Sequence, residues 1–292
     1  MELATYGLVL ASSVIHAYWN FLLKRSGGGP AFVGLSKVLE VAAFAPVFAL
    51  WALPGAREHL DAWPVVVVGA LLTLANYAAL ARAYQLGDLA VAYPVARGST
   101  LLFLPFLGFL VFAERLSAVG WLSIACIVVG IVVLQLPALT REAVLSLGPS
   151  FRNPSVVFAM AAGLAAAGYT VWDKRAVQRL PAFTYFYAYT AIVAAAYAGF
   201  VYRRYPRAEV RAEWRTHWWP MLQVAVCNTI AYLLVLGALR SGTSSYVIAL
   251  RQLSIAIGAV MGWRLLGERF GAARRLGVGL IVLGCLLVAM AQ

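Results

Sequence analysis

One pattern occurs twice in this chain at a constant spacing: an apolar helix that contains a single arginine, then a Glu-Arg turn, then an apolar helix that contains a glycine. The three marker residues are Arg97, Glu114 and Gly130 in the first copy and Arg251, Glu268 and Gly284 in the second. Each pair is 154 positions apart, since 251 − 97, 268 − 114 and 284 − 130 give the same difference. A constant offset at three positions indicates an internal repeat, so we expect two copies of one folding unit.

The composition places this repeat in a membrane. The 292 residues are 63% hydrophobic and 12% charged, with a mean hydropathy of +0.84, and a surface that faces water does not tolerate such a composition. A bilayer core about 30 Å thick takes about 20 apolar residues per helix. The sequence contains ten such runs, including an eighth over about 217–240 that follows a charged loop at 203–216, and an uninterrupted ninth over about 244–266. We therefore expect an all-α integral membrane protein with ten transmembrane helices.

The ten helices divide into two repeats of five. Residues 1–137 are predicted to form the first repeat, residues 154–292 the second, and the polar segment 138–153 the linker between them. Because five crossings is an odd number, the second repeat enters the membrane in the opposite orientation. Secondary transporters use inverted repeats of this kind to build two related states around a central site.

The positive charges serve orientation rather than nucleic-acid binding. The formal net charge is +12, but lysine and arginine sit at the ends of apolar runs and form no continuous basic stripe, so no nucleic-acid partner is expected. Loops after the odd-numbered helices carry twelve basic residues and the opposite side carries six. Since positive residues are retained on the cytoplasmic side, both termini are predicted to lie outside the cytoplasm.

Arg97 and Arg251 are the first candidates for substrate binding. Each lies about seven residues into its helix, which at 1.5 Å per residue is about 10 Å below the membrane surface. The inverted repeat makes the two enter from opposite sides, so their guanidiniums are expected to bracket the midplane. A charge at that depth indicates an aqueous cavity, and a guanidinium fork suits a carboxylate or a phosphate. The alternatives are snorkelling to the interface or a structural pair with Glu40 or Asp88.

Other polar and aromatic residues are predicted to line the same cavity. The substrate-binding set adds His16, Trp19, Asn20, Tyr77, Tyr93, Trp172 and Tyr246. His16 and Glu40 are also candidates for proton coupling, because each could exchange a proton at membrane depth. The competing interpretations are a hydrogen-bonded core histidine, a neutralising Lys37–Glu40 pair, and an interfacial aromatic belt.

Glu114 and Glu268 are predicted to act as gates or hinges. Each follows the end of an apolar helix, where a carboxylate does not favour the negative helix terminus. We expect each to cap the first amides of the helix that follows it. The three cysteines, Cys126, Cys227 and Cys285, lie inside apolar runs, so neither a disulfide framework nor a metal site is expected, and no cofactor is implied.

These features resemble the drug/metabolite transporter superfamily, in its ten-helix EamA-type exporter family. The resemblance rests on two five-helix copies, on the turns Ala113-Glu114-Arg115-Leu116 and Gly267-Glu268-Arg269-Phe270, and on a glycine-rich last helix. The resemblance covers the whole chain. The chain is also similar to exporters of aromatic amino acids. It implies a multi-pass protein of the bacterial inner membrane that exports small metabolites by alternating access through a central cavity.

The leading hypothesis is therefore a secondary exporter of amino acids, aromatic ones among them, which works as a monomer and is not an enzyme. A carrier of phosphorylated sugars or nucleotide sugars in the same fold is the alternative, because a basic cavity also suits phosphate. An intramembrane enzyme is a remote third, since the sequence offers neither zinc-ligand spacing nor an adjacent pair of carboxylates.

Overall fold

The chain forms a bundle of membrane-length helices. A computed structural model describes residues 2–28, 30–56, 61–145, 148 and 153–291. Within these residues every regular element is helical, and ten helices are long and apolar enough to cross a membrane. Helices 1 to 10 are Leu3–Ser26, Pro30–Val47, Trp63–Leu86, Leu89–Phe112, Ala118–Gln135, Pro154–Ala176, Ala182–Arg204, Arg207–Ser241, Ser244–Leu266 and Ala272–Met290. The predicted all-α transmembrane fold is confirmed.

The helix bounds differ from the prediction in two instructive places. Helix 8 begins at Arg207, so most of the predicted loop at 203–216 is helical. Its 35 residues span about 52 Å, well beyond a core of about 30 Å. Arg207, Arg211 and Arg215 are exposed on this extension, which adds polar helical residues beyond the length that a bilayer core needs. Helix 9, predicted to be continuous, is interrupted at Gln252.

Shorter elements complete the chain. Helix 2 contains Pro46 and continues through a π-helical turn, Phe48–Ala52, into the segment Leu53–Ala56. The predicted linker contains a one-turn helix, Arg141–Leu145. The rest of that linker lies partly outside the described residues, at 146, 147 and 149–152.

The main contacts between helices stay the same when the two halves of the chain are interchanged. Helix 3 packs on helix 6 as helix 8 packs on helix 1, and helix 4 packs on helix 6 as helix 9 packs on helix 1. Helix 2 packs against helix 7, and helix 5 against helix 10. If helices 1 to 5 are exchanged with helices 6 to 10 in order, each of these contacts becomes another contact of the set or remains the same contact. This is the contact pattern that a two-fold relation between two five-helix repeats requires.

The packing of helix 5 on helix 10 repeats that exchange at single residues. A Cβ on Gly130 would lie 2.9 Å from the backbone oxygen of Gly277 and 2.9 Å from the backbone nitrogen of Ile281. A Cβ on Gly284 would lie 2.8 Å from the backbone oxygen of Ser123 and 3.1 Å from the backbone nitrogen of Ile127. Ser123 and Ile127 are 154 positions before Gly277 and Ile281. Both glycines therefore let the helix backbones approach closely, as small residues do in membrane proteins.

Replacing Gly284 with alanine should destabilise the bundle by about 1–3 kcal/mol, because the new methyl group would press on the backbone of helix 5. Gly279→Ala is the matched control on the same helix, since a Cβ there meets nothing within 4 Å. Thermal unfolding of the purified proteins, followed by intrinsic fluorescence, measures both. Equal unfolding temperatures for the two variants would contradict the close contact.

Candidate functional site

A small polar cavity lies between helices 1, 4, 6 and 9. Helix 4 and helix 9 occupy matched places in the two halves, and so do helix 1 and helix 6, so the cavity sits at the centre of the exchange. Its lining combines two arginines, a histidine and several hydroxyls with a few apolar side chains. The lining residues are His16, Arg97, Thr100, Ala166, Tyr169, Thr170, Ile248, Arg251, Gln252 and Ser254.

Three pairs of these residues are related by the repeat. Arg97 matches Arg251 and Thr100 matches Ser254 at the offset of 154, and His16 matches Tyr169 at the neighbouring offset of 153. Tyr169, Thr170, Thr100, Gln252 and Ser254 were not among the predicted site residues. Applying the offset to every polar residue near Arg97 would have found Thr100 and Ser254. Each half therefore contributes an arginine, a hydroxyl and a ring-bearing side chain to one cavity.

The two guanidiniums share this cavity, and neither forms an ion pair with a carboxylate among the described residues. In the described part of the chain, every ion pair involves other cations: Lys24, Lys37, Lys174, His217 and Arg274. Arg97 lies over the ring of Tyr93, at 5.6 Å from the ring centroid, and Arg251 lies over the ring of Tyr232 at 5.4 Å. The aromatic faces offset part of each charge. Enough positive charge remains to attract an anion.

Arg251 has one buried donor that makes no hydrogen bond among the described residues. One terminal nitrogen of its guanidinium lies 3.2 Å from Nδ1 of His16. Arginine can only donate, so His16 Nδ1 must accept, and the ring is the neutral tautomer with its hydrogen on Nε2. The Nε of Arg251 is buried without a hydrogen-bond partner among the described residues. A buried donor without an acceptor is costly, so a substrate oxygen placed there would be stabilised.

The interruption of helix 9 falls at the cavity. Gln252 lies between Ser244–Arg251 and Leu253–Leu266, and its backbone nitrogen bonds to Ala249 three residues back, at 3.1 Å. The Gln252 side chain donates to the carbonyl of Ile248 at 3.0 Å, which satisfies part of the disturbed backbone. The interruption is a single tightened turn, since the Gln252 backbone stays in the right-handed helical region with φ −64° and ψ −13°.

The structure does not bring all the predicted substrate residues together. Trp19 packs edge-on against His16, with ring centroids 4.9 Å apart, but it is not among the lining residues. Asn20 is exposed and donates to the backbone oxygen of His16, and Trp172 donates to the backbone of Val65 on helix 3. These are contacts within and between helices rather than contacts with the cavity.

Two of the predicted tyrosines also lie away from the lining. Tyr77 meets the ring of Tyr197 at 5.6 Å. The Tyr246 hydroxyl lies 3.3 Å from the Ser117 amide and donates to the Ala291 carbonyl at 3.3 Å, at the junction of helices 5 and 10. Residue type and position along a helix did not fix the rotations that decide these placements.

Glu40 belongs to a satisfied network between helices 2 and 8 and is not among the residues that line the central cavity. Its carboxylate accepts from Lys37 at 2.7 Å, from Asn228 at 2.9 Å and from Thr229 at 2.7 Å. The lysine neutralises it and helix 8 supplies the other donors. This network ties helix 2 to helix 8, and it agrees with the alternative interpretation of a neutralising Lys37–Glu40 pair.

Glu114 links three helices at one end of the bundle. It accepts from Lys174 near the end of helix 6 at 2.5 Å, and from the amide and hydroxyl of Ser244 at the start of helix 9 at 3.0 and 2.6 Å. Glu114 therefore caps helix 9, not the following helix 5 as predicted from the sequence. The hydroxyl of Ser117 takes that role, accepting from the Gly120 amide at 3.2 Å. The cross-helix cap is favourable because the first amides of a helix attract negative charge.

Glu268 forms the matching contact at the other end. It accepts from Lys24 at the end of helix 1, and from Arg274 at 2.9 Å. The hydrogen-bonded Lys24 holds the pKa of Glu268 below its usual range, with partial burial opposing the effect and Arg274 adding to it. This pair is more open to water, since the Lys24 side chain is 61% exposed, against 12% for Lys174.

The two glutamates are presented by the same turn. Ala113 and Gly267 both have positive φ, of 54° and 69°. The amides of Glu114 and Glu268 bond back to the carbonyls of Gly108 and Gly262, each at 3.2 Å. Glycine adopts this backbone without strain, and alanine does so at a cost. The Gly/Ala-Glu-Arg motif is thus a helix end that aims a carboxylate at the opposite half.

Comparison with known proteins agrees with this architecture. Residues 153–290 match the EamA-like transporter family. No curated protein matches the chain significantly. One solved structure, described as a crystal structure of protein, superposes over 100% of this chain and 98% of its own with a TM-score of 0.77 at 17% identity. At that identity the likeness shows a shared fold alone. The family resemblance predicted from the sequence is confirmed by the match to the second half.

Glu114→Gln should destabilise the protein by about 3–5 kcal/mol, because it leaves the buried Lys174 ammonium with the Gly242 carbonyl but without its carboxylate partner. Glu268→Gln is the matched control, and an exposed pair of this kind contributes about 1 kcal/mol or less. Scanning fluorimetry of both purified variants measures the difference. A larger loss in the Glu268 variant would contradict the assignment of the buried contact to Glu114.

Proposed function

We propose the following function for this multi-pass membrane protein, which carries an EamA-like transporter domain and belongs to the drug/metabolite transporter superfamily. It is a secondary transporter that exports amino acids, aromatic ones among them, across the bacterial inner membrane. The substrate passes through the central cavity by alternating access. The halves at 1–137 and 154–292 are the two units that exchange roles.

The pair of arginines in one cavity carries this proposal. Two permanently charged guanidiniums that form no ion pair in the described residues would be costly in a closed apolar interior. An anionic substrate group relieves that cost, and the free Nε of Arg251 offers it a donor. The α-carboxylate of an amino acid fits these donors, while Tyr169 and the nearby Trp19 supply surfaces on which an aromatic side chain can pack.

A second candidate substrate follows from the number of charges. Arg97 and Arg251 together present two positive charges, which a phosphate monoester matches better than a single carboxylate does. A carrier of phosphorylated sugars or nucleotide sugars is therefore the alternative. A thermal-shift screen of purified protein against both classes of ligand, followed by efflux of the labelled hits from proteoliposomes, separates the two.

The contacts of Glu114 and Glu268 support gating from both ends. Each glutamate joins the end of helix 4 or helix 9 to a lysine near the end of the helix that packs on it from the other half. We assign the Glu114–Lys174 contact as one gate and the Glu268–Lys24 contact as the other. The Glu114–Lys174 contact is buried and the Glu268–Lys24 contact is more exposed. This difference fits a conformation in which the end that contains Glu114 is more tightly closed.

Arg97→Gln and Arg251→Gln should each lower efflux of the transported ligand at least tenfold, because each removes a charge from the cavity, and tenfold corresponds to about 1.4 kcal/mol of binding. Arg264→Gln is the matched control: it removes an exposed arginine of helix 9 that lies against Trp263. Labelled efflux from proteoliposomes containing equal amounts of folded protein measures all three. Unchanged rates in both cavity variants would mean that the arginines are structural.

The excess of basic residues at one side predicts that both termini lie outside the cytoplasm. A cysteine placed at the C-terminus of a variant without native cysteines should then react, in intact cells, with a maleimide that does not cross the inner membrane. A cysteine in the extension of helix 8 should be protected. The reverse pattern would show that the termini are cytoplasmic.

A further inference from the structure

Asp173 is a buried carboxyl whose partners are hydroxyl groups. Its side chain is 3% exposed; one oxygen accepts from the Tyr185 hydroxyl at 2.6 Å and the other from the Tyr232 hydroxyl. Within the described ranges, no lysine, arginine or histidine forms an ion pair with it. Glu40 and Glu114, by contrast, each hold a lysine. The partners of Asp173 can therefore hydrogen-bond to it whether it is ionised or protonated.

Hydroxyl partners make both states of the carboxyl accessible. When Asp173 is ionised, Tyr185 and Tyr232 can both donate to it. When it carries a proton, the acid can donate that proton to one tyrosine oxygen, whose own hydrogen turns away. An ammonium partner could not reverse its role in this way. Burial also raises the cost of the ionised form, so neither state is strongly favoured by the contacts alone.

Tyr232 connects Asp173 with the central cavity. Its hydroxyl donates to the carboxyl, and its ring packs against the guanidinium of Arg251, which lines the cavity. Arginine stays charged, so Asp173 is the member of this group that can change its charge. The charged and titratable groups of the surrounding helices are Tyr77, Arg97, Tyr169, Tyr185, Tyr189, Tyr232 and Arg251. Lys174, the next residue in the chain, is paired with Glu114.

We propose that Asp173 is a proton-binding site and that the proton binds to the transporter together with the anionic group of the substrate. The proposal rests on the proposed transport function. Ionised Asp173 offsets the field of Arg251 in the cavity, whereas protonated Asp173 does not. Protonation therefore strengthens anion binding, and by reciprocity a bound anion strengthens proton binding. One proton joins one carboxylate oxygen, and no other bond is made or broken.

This site replaces the two predicted candidates for proton coupling. His16 accepts from Arg251, so a proton on its Nδ1 would place two cations in contact. The Glu40 carboxylate is neutralised by Lys37, and it also accepts hydrogen bonds from two side chains of helix 8. Asp173 follows Asn20 by 153 positions, the offset that also relates His16 to Tyr169, but its role follows from the tyrosines of helices 7 and 8. It also lies beside the Lys174–Glu114 contact, so its proton is bound next to a gate.

The first test measures proton binding without any substrate. Infrared difference spectra of the purified protein between acidic and alkaline pH should contain a buried carboxylic-acid band that is absent in Asp173→Asn. Tyr185→Phe should move that band, because the carbonyl stretch depends on hydrogen bonding, and this variant keeps the assignment testable if Asp173→Asn does not fold. Glu209→Gln, which removes an exposed carboxylate of helix 8, should leave the band unchanged. A wild-type spectrum without the band overturns the proposal.

The second test measures the coupling. Phenylalanine and glucose 6-phosphate are added separately to lightly buffered protein with a pH indicator. The ligand that binds should cause proton uptake in the wild type and none in Asp173→Asn, and its affinity for the wild type should fall about tenfold from acidic to alkaline pH. Binding without proton uptake overturns the coupling. If neither ligand binds, the proposed substrates are wrong, while the infrared result still decides whether Asp173 binds a proton.

Discussion

The cost of holding two guanidinium charges at membrane depth determines what surrounds them. Neither Arg97 nor Arg251 forms an ion pair in the described residues; they rest on aromatic faces and open onto a polar cavity. Removing that cavity would leave two like charges in an apolar interior, a cost of several kcal/mol for each ion. The cavity therefore has polar walls. They are supplied by the neutral His16, by the repeat-related hydroxyls of Thr100 and Ser254, and by the turn at Gln252 in helix 9.

The two halves complete each other rather than folding as separate bodies. Helix 1 packs on helices 8 and 9, and helix 6 packs on helices 3 and 4, so each first helix of a half is held chiefly by the other half. The glutamate turns follow the same rule, since Glu114 caps helix 9 and Glu268 binds the end of helix 1. A movement of one half therefore changes contacts at both ends of the cavity together. Such coupling is what alternating access needs.

Much of the fold was predictable because a bilayer imposes a strong pattern on sequence. Ten apolar runs gave ten helices, and isolated arginines within them marked the cavity. The extension of helix 8 was missed because hydropathy detects apolar helices and not polar ones in water. Tyr169 and the partners of Asp173 were missed for another reason: hydrophobicity around each helix is nearly uniform, so the sequence does not fix which face of a helix turns inward. Tyr232 lies 59 positions from Asp173, and only packing brings them together.

The break at Gln252 lies in helix 9, and helix 4, its counterpart, is continuous from Leu89 to Phe112. A switch built from two identical copies would have two end states of equal free energy. Here the copies differ in their backbone hydrogen bonds beside the cavity, so the sequence does not impose equal free energies on two such states. In the proposed alternating-access cycle, end states of unequal free energy would give unequal populations of the two access states, while the overall equilibrium is still set by the gradients.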